Sequence, residues 1–149
     1  MGHHHLPLVT LVDLSLKESL FSWLPGWLDI FNGITEGTTR YSRAALLVAV
    51  AFGLIVDGIA APVVEEMYFR GYLLPRISRL GAWAPLVNTV LFSLYHFFSP
   101  FGFVSRIITF LPTVYVAWWK RSIYVSMAVH LLGNLAGVVG TLFVFLAAG

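Results

Sequence analysis

An all-α membrane protein, a bundle of about four transmembrane helices with an interfacial N-terminal segment, is the fold class this chain predicts. Three observations predict it. The first is composition: of 149 residues, 58% are hydrophobic and only 11% charged, against roughly 25% charged in ordinary soluble domains. The second is the gathering of apolar residues into four runs, Ala44 to Val64, Ala82 to Phe98, Phe103 to Trp119 and Ile123 to Ala148. Those lengths span or nearly span a hydrocarbon core about 30 Å thick. The third is a handful of polar side chains set in or beside those runs at helical spacing: Glu65, Glu66, Arg70, His96, His130 and Asn134. A charge near the bilayer centre costs at least about 2.5–3.5 kcal/mol, so such a set needs a functional reason.

Composition also excludes several classes. The formal net charge of +2 comes from scattered arginines and lysines, with no basic tract of the kind that tracks nucleic acid. There is no cysteine, which removes disulfides, thiolate metal sites and a cysteine nucleophile. Residues 1–5, Met-Gly-His-His-His, read as a tag or incidental tract rather than a metal site. The residues after this tract lack a charged n-region and a small-residue cleavage site, so no signal peptide is expected.

Residues 6–43 form the N-terminal segment. Asp13, Lys17, Glu18, Asp29 and Glu36 interrupt it and Pro25-Gly26 divides it, so no run reaches the roughly 20 apolar residues that a span needs. Leu20, Phe21, Trp23, Leu24, Trp27, Leu28, Ile30 and Phe31 suit an amphipathic stretch with tryptophans at headgroup depth. A short membrane-dipping hairpin is the alternative. Residues 44–149 then make the transmembrane domain. Within its first span, Asp57 either joins a polar cavity or marks a helix end, and the second reading is preferred. Pro62 kinks the helix or opens a new one, since proline fits a first helical turn. Leu73 to Leu80, with Pro75, Arg76 and Arg79, should leave the membrane. Trp118-Trp119-Lys120-Arg121 is an aromatic and basic stop at the interface. Basic residues divide four and four between the two faces, so they do not set orientation.

On a helix, Glu66 and Arg70 lie one turn apart, where a carboxylate four residues before a cation pairs well. Glu65 lies about 100° further round and is free to face another helix. Phe92 and His96 share a face, as do His130 and Asn134. Three helices thus project polar groups into one bundle. A partly dry carboxylate, Glu65 or Glu66, can accept a proton from water, with His96 as a second partner for that water. An imidazole and a carboxamide side by side suit a developing oxyanion, where one donor is worth roughly 2.7–4 kcal/mol. Taken singly, either histidine is more simply a hydrogen-bonded core residue; the conjunction argues for hydrolysis of an acyl bond.

Glu65-Glu66-Met67-Tyr68-Phe69-Arg70 fits an EExxxR motif, Phe92 to His96 an FxxxH motif and His130 to Asn134 an HxxxN motif. In that order and spacing they resemble the CPBP family, the CAAX proteases and bacteriocin-processing proteins, also called the ABI family. The match covers about Ala61 to Val138 and continues through Phe69-Arg70-Gly71-Tyr72-Leu73. The resemblance implies an intramembrane glutamate-dependent endopeptidase similar to the Ras-converting CAAX enzyme. Its substrate would be a membrane-anchored protein or peptide, prenylated or not, in a prokaryotic cell membrane. It implies that Glu65 and His96 activate the water and that His130 and Asn134 form the oxyanion hole, while Glu66 and Arg70 support the site and Phe92 backs it.

A glutamate with two histidines is also a zinc-like ligand set. No metal or other cofactor is the preferred reading, since the asparagine and the oxyanion role account for the last motif. Relatives in the family commonly carry more helices before the first motif, so a partner chain or homo-oligomer would supply the missing wall. A non-catalytic reading, a bacteriocin-immunity factor or membrane scaffold of the same fold, is the main alternative. A proton-relay transporter is a third, disfavoured by the absence of an inverted repeat.

Overall fold

The computed structural model describes residues 15, 17–20, 22–23 and 40–147, and all regular structure among them is helical. Most of the interfacial segment expected over residues 6–43 lies outside the described residues. The first long helix, α1, runs Arg43–Arg76. Ser42 opens it by accepting a hydrogen bond from the Ala45 N–H at 3.3 Å, the usual task of an N-cap serine. Helix α2 follows over Trp83–Tyr95, α3 over Phe103–Lys120 and α4 over Tyr124–Ala147. Helices α2 and α3 pack together; α4 packs along α1 and also against α3; the C-terminal part of α1 meets α2.

Two expected boundaries move. Helix α1 neither ends nor restarts at Pro62, and Asp57 marks no helix end; the helix continues to Arg76. It does so by widening twice, in π-helical segments at Val56–Ala60 and Met67–Leu73 that flank the six-residue α-helical stretch Ala61–Glu66. In the first, the Ala61 N–H bonds back to the Val56 carbonyl. The Asp57 carbonyl is next in line, but its i+5 partner is Pro62, which has no N–H. Asn134 on α4 fills the vacancy, its Nδ2 donating to the Asp57 carbonyl at 2.8 Å. In the second, the Phe69 carbonyl accepts from the Leu74 N–H and, at 2.7 Å, from Nδ2 of buried Asn88 on α2. Both π segments are thus pinned by a carboxamide from a neighbouring helix. Such segments occur often at functional sites.

The second boundary is that of α2. It is 13 residues long, about 20 Å, and stops one residue before His96 rather than carrying it inside a span. The lengths of Arg43–Arg76, Pro100–Lys120 and Tyr124–Phe143 suffice to cross a membrane, whereas α2 is a shorter apolar helix.

Polarity is arranged from the inside out. Glu66, Arg70, Asn88, Thr89, Ser93, Ser126 and His130 are buried, while Phe52, Ile55, Val64, Phe97, Leu132 and Phe143 are exposed. Water would reverse that order; lipid accommodates it, provided interior polar groups find partners. A small apolar core of Leu74, Ala84 and Val114, with Ile77 and Trp118 against it, closes one end of the bundle. Gly58 lets α1 and α4 approach, because a Cβ there would stand 2.9 Å from Cδ2 of Leu135.

Candidate active site

The site grows from the stretch Ala61–Glu66 between the two π segments. Glu66 points inward and is fully buried. Its Oε1 accepts from Nδ1 of His130 at 3.0 Å and lies 3.3 Å from Nη1 of Arg70, the expected one-turn pair. Its Oε2 accepts from the hydroxyl of Ser126. The Arg70 guanidinium lies over the Phe92 ring, 4.3 Å from its centroid, a contact worth more when desolvated, as here. Phe92 is the hub. Fully buried, it meets Phe69, Phe110, His96 and His130 edge-on, with centroids 4.7–5.5 Å away.

Glu65 faces the other way round the helix, as its 100° offset requires. Its Oε1 is 3.8 Å from Nε2 of His96 and its Oε2 is 3.6 Å from Nε2 of His130. These gaps are longer than direct hydrogen bonds. Both imidazoles have committed their Nδ1 elsewhere: His96 to the Phe92 carbonyl at 2.9 Å and His130 to Glu66. A carbonyl only accepts, so neutral His96 carries its proton on Nδ1 and turns the Nε2 lone pair toward Glu65. The side chains of Glu65 and His96 retain 13% and 16% exposure, whereas those of Glu66 and His130 retain 0% and 3%. The outer carboxylate is the one a small molecule can reach.

The structure therefore brings together Glu65, Glu66, Arg70, Phe92, His96 and His130. On the shared face of α4, His130 turns to the glutamates, while Asn134 spends one of its two N–H groups on the Asp57 carbonyl. Ser126 was not singled out from the sequence. The signal was there, since Ser126, His130 and Asn134 recur every four residues and form one stripe of α4. Asn88 carries no such signal, because only the π segment it serves explains it.

Beside His96 an apolar groove of about 380 Å³ is lined by Leu20, Ser93, Leu94, Phe97, Phe103 and Val104, among others. The loop that carries His96 is tied back by Arg106, which donates to Ser99 Oγ at 2.9 Å and to the Ser99 carbonyl. Among the described residues no three of His, Asp and Glu stand in a metal-holding arrangement.

Helices apolar outside and ionisable inside, with two carboxylates and two imidazoles drawn together, define a membrane protein with a chemically equipped interior. The chain belongs to the type II CAAX prenyl endopeptidase Rce1-like family, which matches residues 47–136, more than half its length and all three motifs. That family is one of membrane-embedded CAAX proteases, which places the chain among enzymes with a membrane-anchored substrate. No curated protein and no solved structure matches it significantly.

Proposed function

We propose that this protein is a multi-pass intramembrane endopeptidase that hydrolyses a peptide bond near the membrane anchor of its substrate. A water molecule is the nucleophile and Glu65 its general base. The observation that carries this reading is the gap between Glu65 and the two Nε2 atoms, 3.6–3.8 Å, too long for direct bonds and suited to a bridging group. A water there gives one hydrogen to Glu65 and the other to the His96 lone pair, which aims its oxygen at an entering carbonyl. Glu65 takes the proton as the C–O bond forms, then returns it to the departing amine, so the carboxylate is regenerated.

The oxyanion needs donors in a water-poor site, where they are most effective. His130 supplies one through Nε2–H in its protonated form, with Glu66 holding its Nδ1–H. Asn134 supplies its second N–H, the first being spent on α1. Glu66, held in turn by Arg70 and Ser126, orients His130 rather than touching substrate. The apolar groove beside His96 suits an aliphatic or prenyl group. We take the reaction to need no metal; a chelator should leave turnover unchanged, and loss of activity restored by zinc would reverse that reading.

The test is cleavage of membrane-anchored peptides, prenylated and unprenylated, by purified variants in detergent. Glu65→Gln keeps size but cannot take the proton, so turnover should collapse while binding and helix content persist. Full activity of Glu65→Gln would move the general base to Glu66. If the wild type cleaves no peptide, the immunity or scaffold reading gains.

A further inference from the structure

Helix α2 stops at Tyr95, so the imidazole opposite Glu65 is carried by a loop. His96 has left helical geometry, with φ −82° and ψ 42°, and residues 96–102 intervene before α3 begins at Phe103. We propose that Arg106 of α3 is a positioning residue for His96, acting through Ser99 to hold Nε2 of the imidazole toward Glu65. The effect on turnover rests on the endopeptidase reading; the effect on the imidazole does not.

Ser99 is the joint of the loop. Its N–H donates to the His96 carbonyl at 2.9 Å and its carbonyl accepts from the Gly102 N–H at 3.3 Å. Arg106 grips the same residue twice, Nη1 donating to the hydroxyl oxygen at 2.9 Å and Nη2 to the carbonyl oxygen. Two bonds from one planar guanidinium fix direction as well as distance. The ends of the loop are held separately. Ser93, 1% exposed, donates its hydroxyl to the Phe103 carbonyl at 2.8 Å, while its own carbonyl accepts from the His96 N–H at 3.2 Å. The arc between those ends is what Arg106 secures.

Two features run against local preference and are accounted for by this clamp. Arg106 stands in the first turn of α3, where no acid accompanies it and where the helix dipole disfavours a cation. Residue 102 is glycine although its φ of −81° lies in a region open to other residues. The guanidinium needs the space, since a Cβ there would stand 2.7 Å from Nη1 of Arg106. Gly102 and Arg106 thus form one device.

The experiment compares Arg106→Gln and Gly102→Ala with the wild type, as full chains in detergent. It reads peptide cleavage and the imidazole nitrogen NMR signals of His96, assigned by their loss in His96→Ala. Gly102→Ala keeps the arginine and its charge and displaces only the flexible end of its side chain, so Tm and helix content should be preserved. In the wild type, His96 should show the Nδ1–H tautomer that its bond to the Phe92 carbonyl requires. In both variants those signals should move toward the averaged values of a free imidazole. Turnover should follow, kcat falling about 10–100-fold with KM within about twofold, because the water loses a fixed partner and the substrate does not. Arg79→Gln, which removes an exposed cation elsewhere, should change neither readout. Wild-type kcat in Gly102→Ala, or an unmoved His96 spectrum in Arg106→Gln, overturns the proposal. So does a loss in Arg106→Gln that Gly102→Ala does not share, which would make Arg106 a bare charge near Glu65. Moved His96 signals together with no cleavage by the wild type would bear out the clamp and sink the endopeptidase reading.

Discussion

Glu66 and Glu65 are neighbours in sequence with opposite situations, and the difference is made by their partners. Glu66 is satisfied by an imidazole, a hydroxyl and a guanidinium, so its burial is compensated. Removing one partner leaves the rest in a dry site. Arg70→Ala should cost about 3–5 kcal/mol of stability by unpairing a buried carboxylate. Arg76→Ala, which loses an exposed stack on Tyr72 and an exposed hydrogen bond to the Tyr72 carbonyl, should cost less, about 1 kcal/mol. Chemical unfolding of both variants checks this, and equal small effects would make Arg70 a mere interface anchor. Ser126→Ala should cost about 1.5–3 kcal/mol, the worth of a hydrogen bond to a charged group, and lower kcat more than it raises KM, because His130 loses its orientation. Unchanged kinetics and stability would deny that Ser126 holds Glu66. The Glu66–Arg70 pair and the Phe92–His96 contact were legible as four-residue spacings. The destination of His130 was not, because spacing along α4 says which residues share a face and not what stands opposite them.

At the scale of an element, α1 runs on through Pro62, so of the two expectations there, a kink or a new helix, the new helix falls, and for a definite reason. Proline predicts a break because it leaves a carbonyl without a donor, and that carbonyl's partner comes from Asn134, 77 residues away. No local rule sees it. The arrangement makes a sharp prediction. Asn134→Ala should cost about 1–3 kcal/mol by orphaning the Asp57 carbonyl. In a Pro62→Ala background, where residue 62 regains an N–H, the cost should shrink, with a coupling of at least about 0.5 kcal/mol in a double-mutant cycle. Turnover separates the two duties of Asn134: a loss of about 10²–10³ that persists in the double variant reports the oxyanion donor. Rescue of both stability and turnover would leave Asn134 purely structural.

For the molecule as a whole, the helical class was legible because apolar runs and inward polar residues are properties of the sequence itself. The short reach of α2 was not, since Phe97 and Phe98 extend its apolar run past the point where the backbone turns. With α1, α3 and α4 crossing, the Ser78–Leu80 and Arg121–Ile123 turns should share one face of the bilayer. The chain lacks cysteine, so Ser78→Cys and Ser122→Cys each introduce a unique thiol. An impermeant maleimide should label both from the same side of sealed vesicles; labelling from opposite sides would break the topology.

The shortness of α2 acts as a ruler. If its axis follows the bilayer normal, His96 stands about 20 Å from the face where α2 begins, which leaves about 10 Å of a 30 Å core on its far side. An extended peptide covers that in about three residues. Depth in the membrane thereby becomes distance along the substrate, and the bond presented to Glu65 is chosen by counting from an anchor rather than by reading the side chains around it.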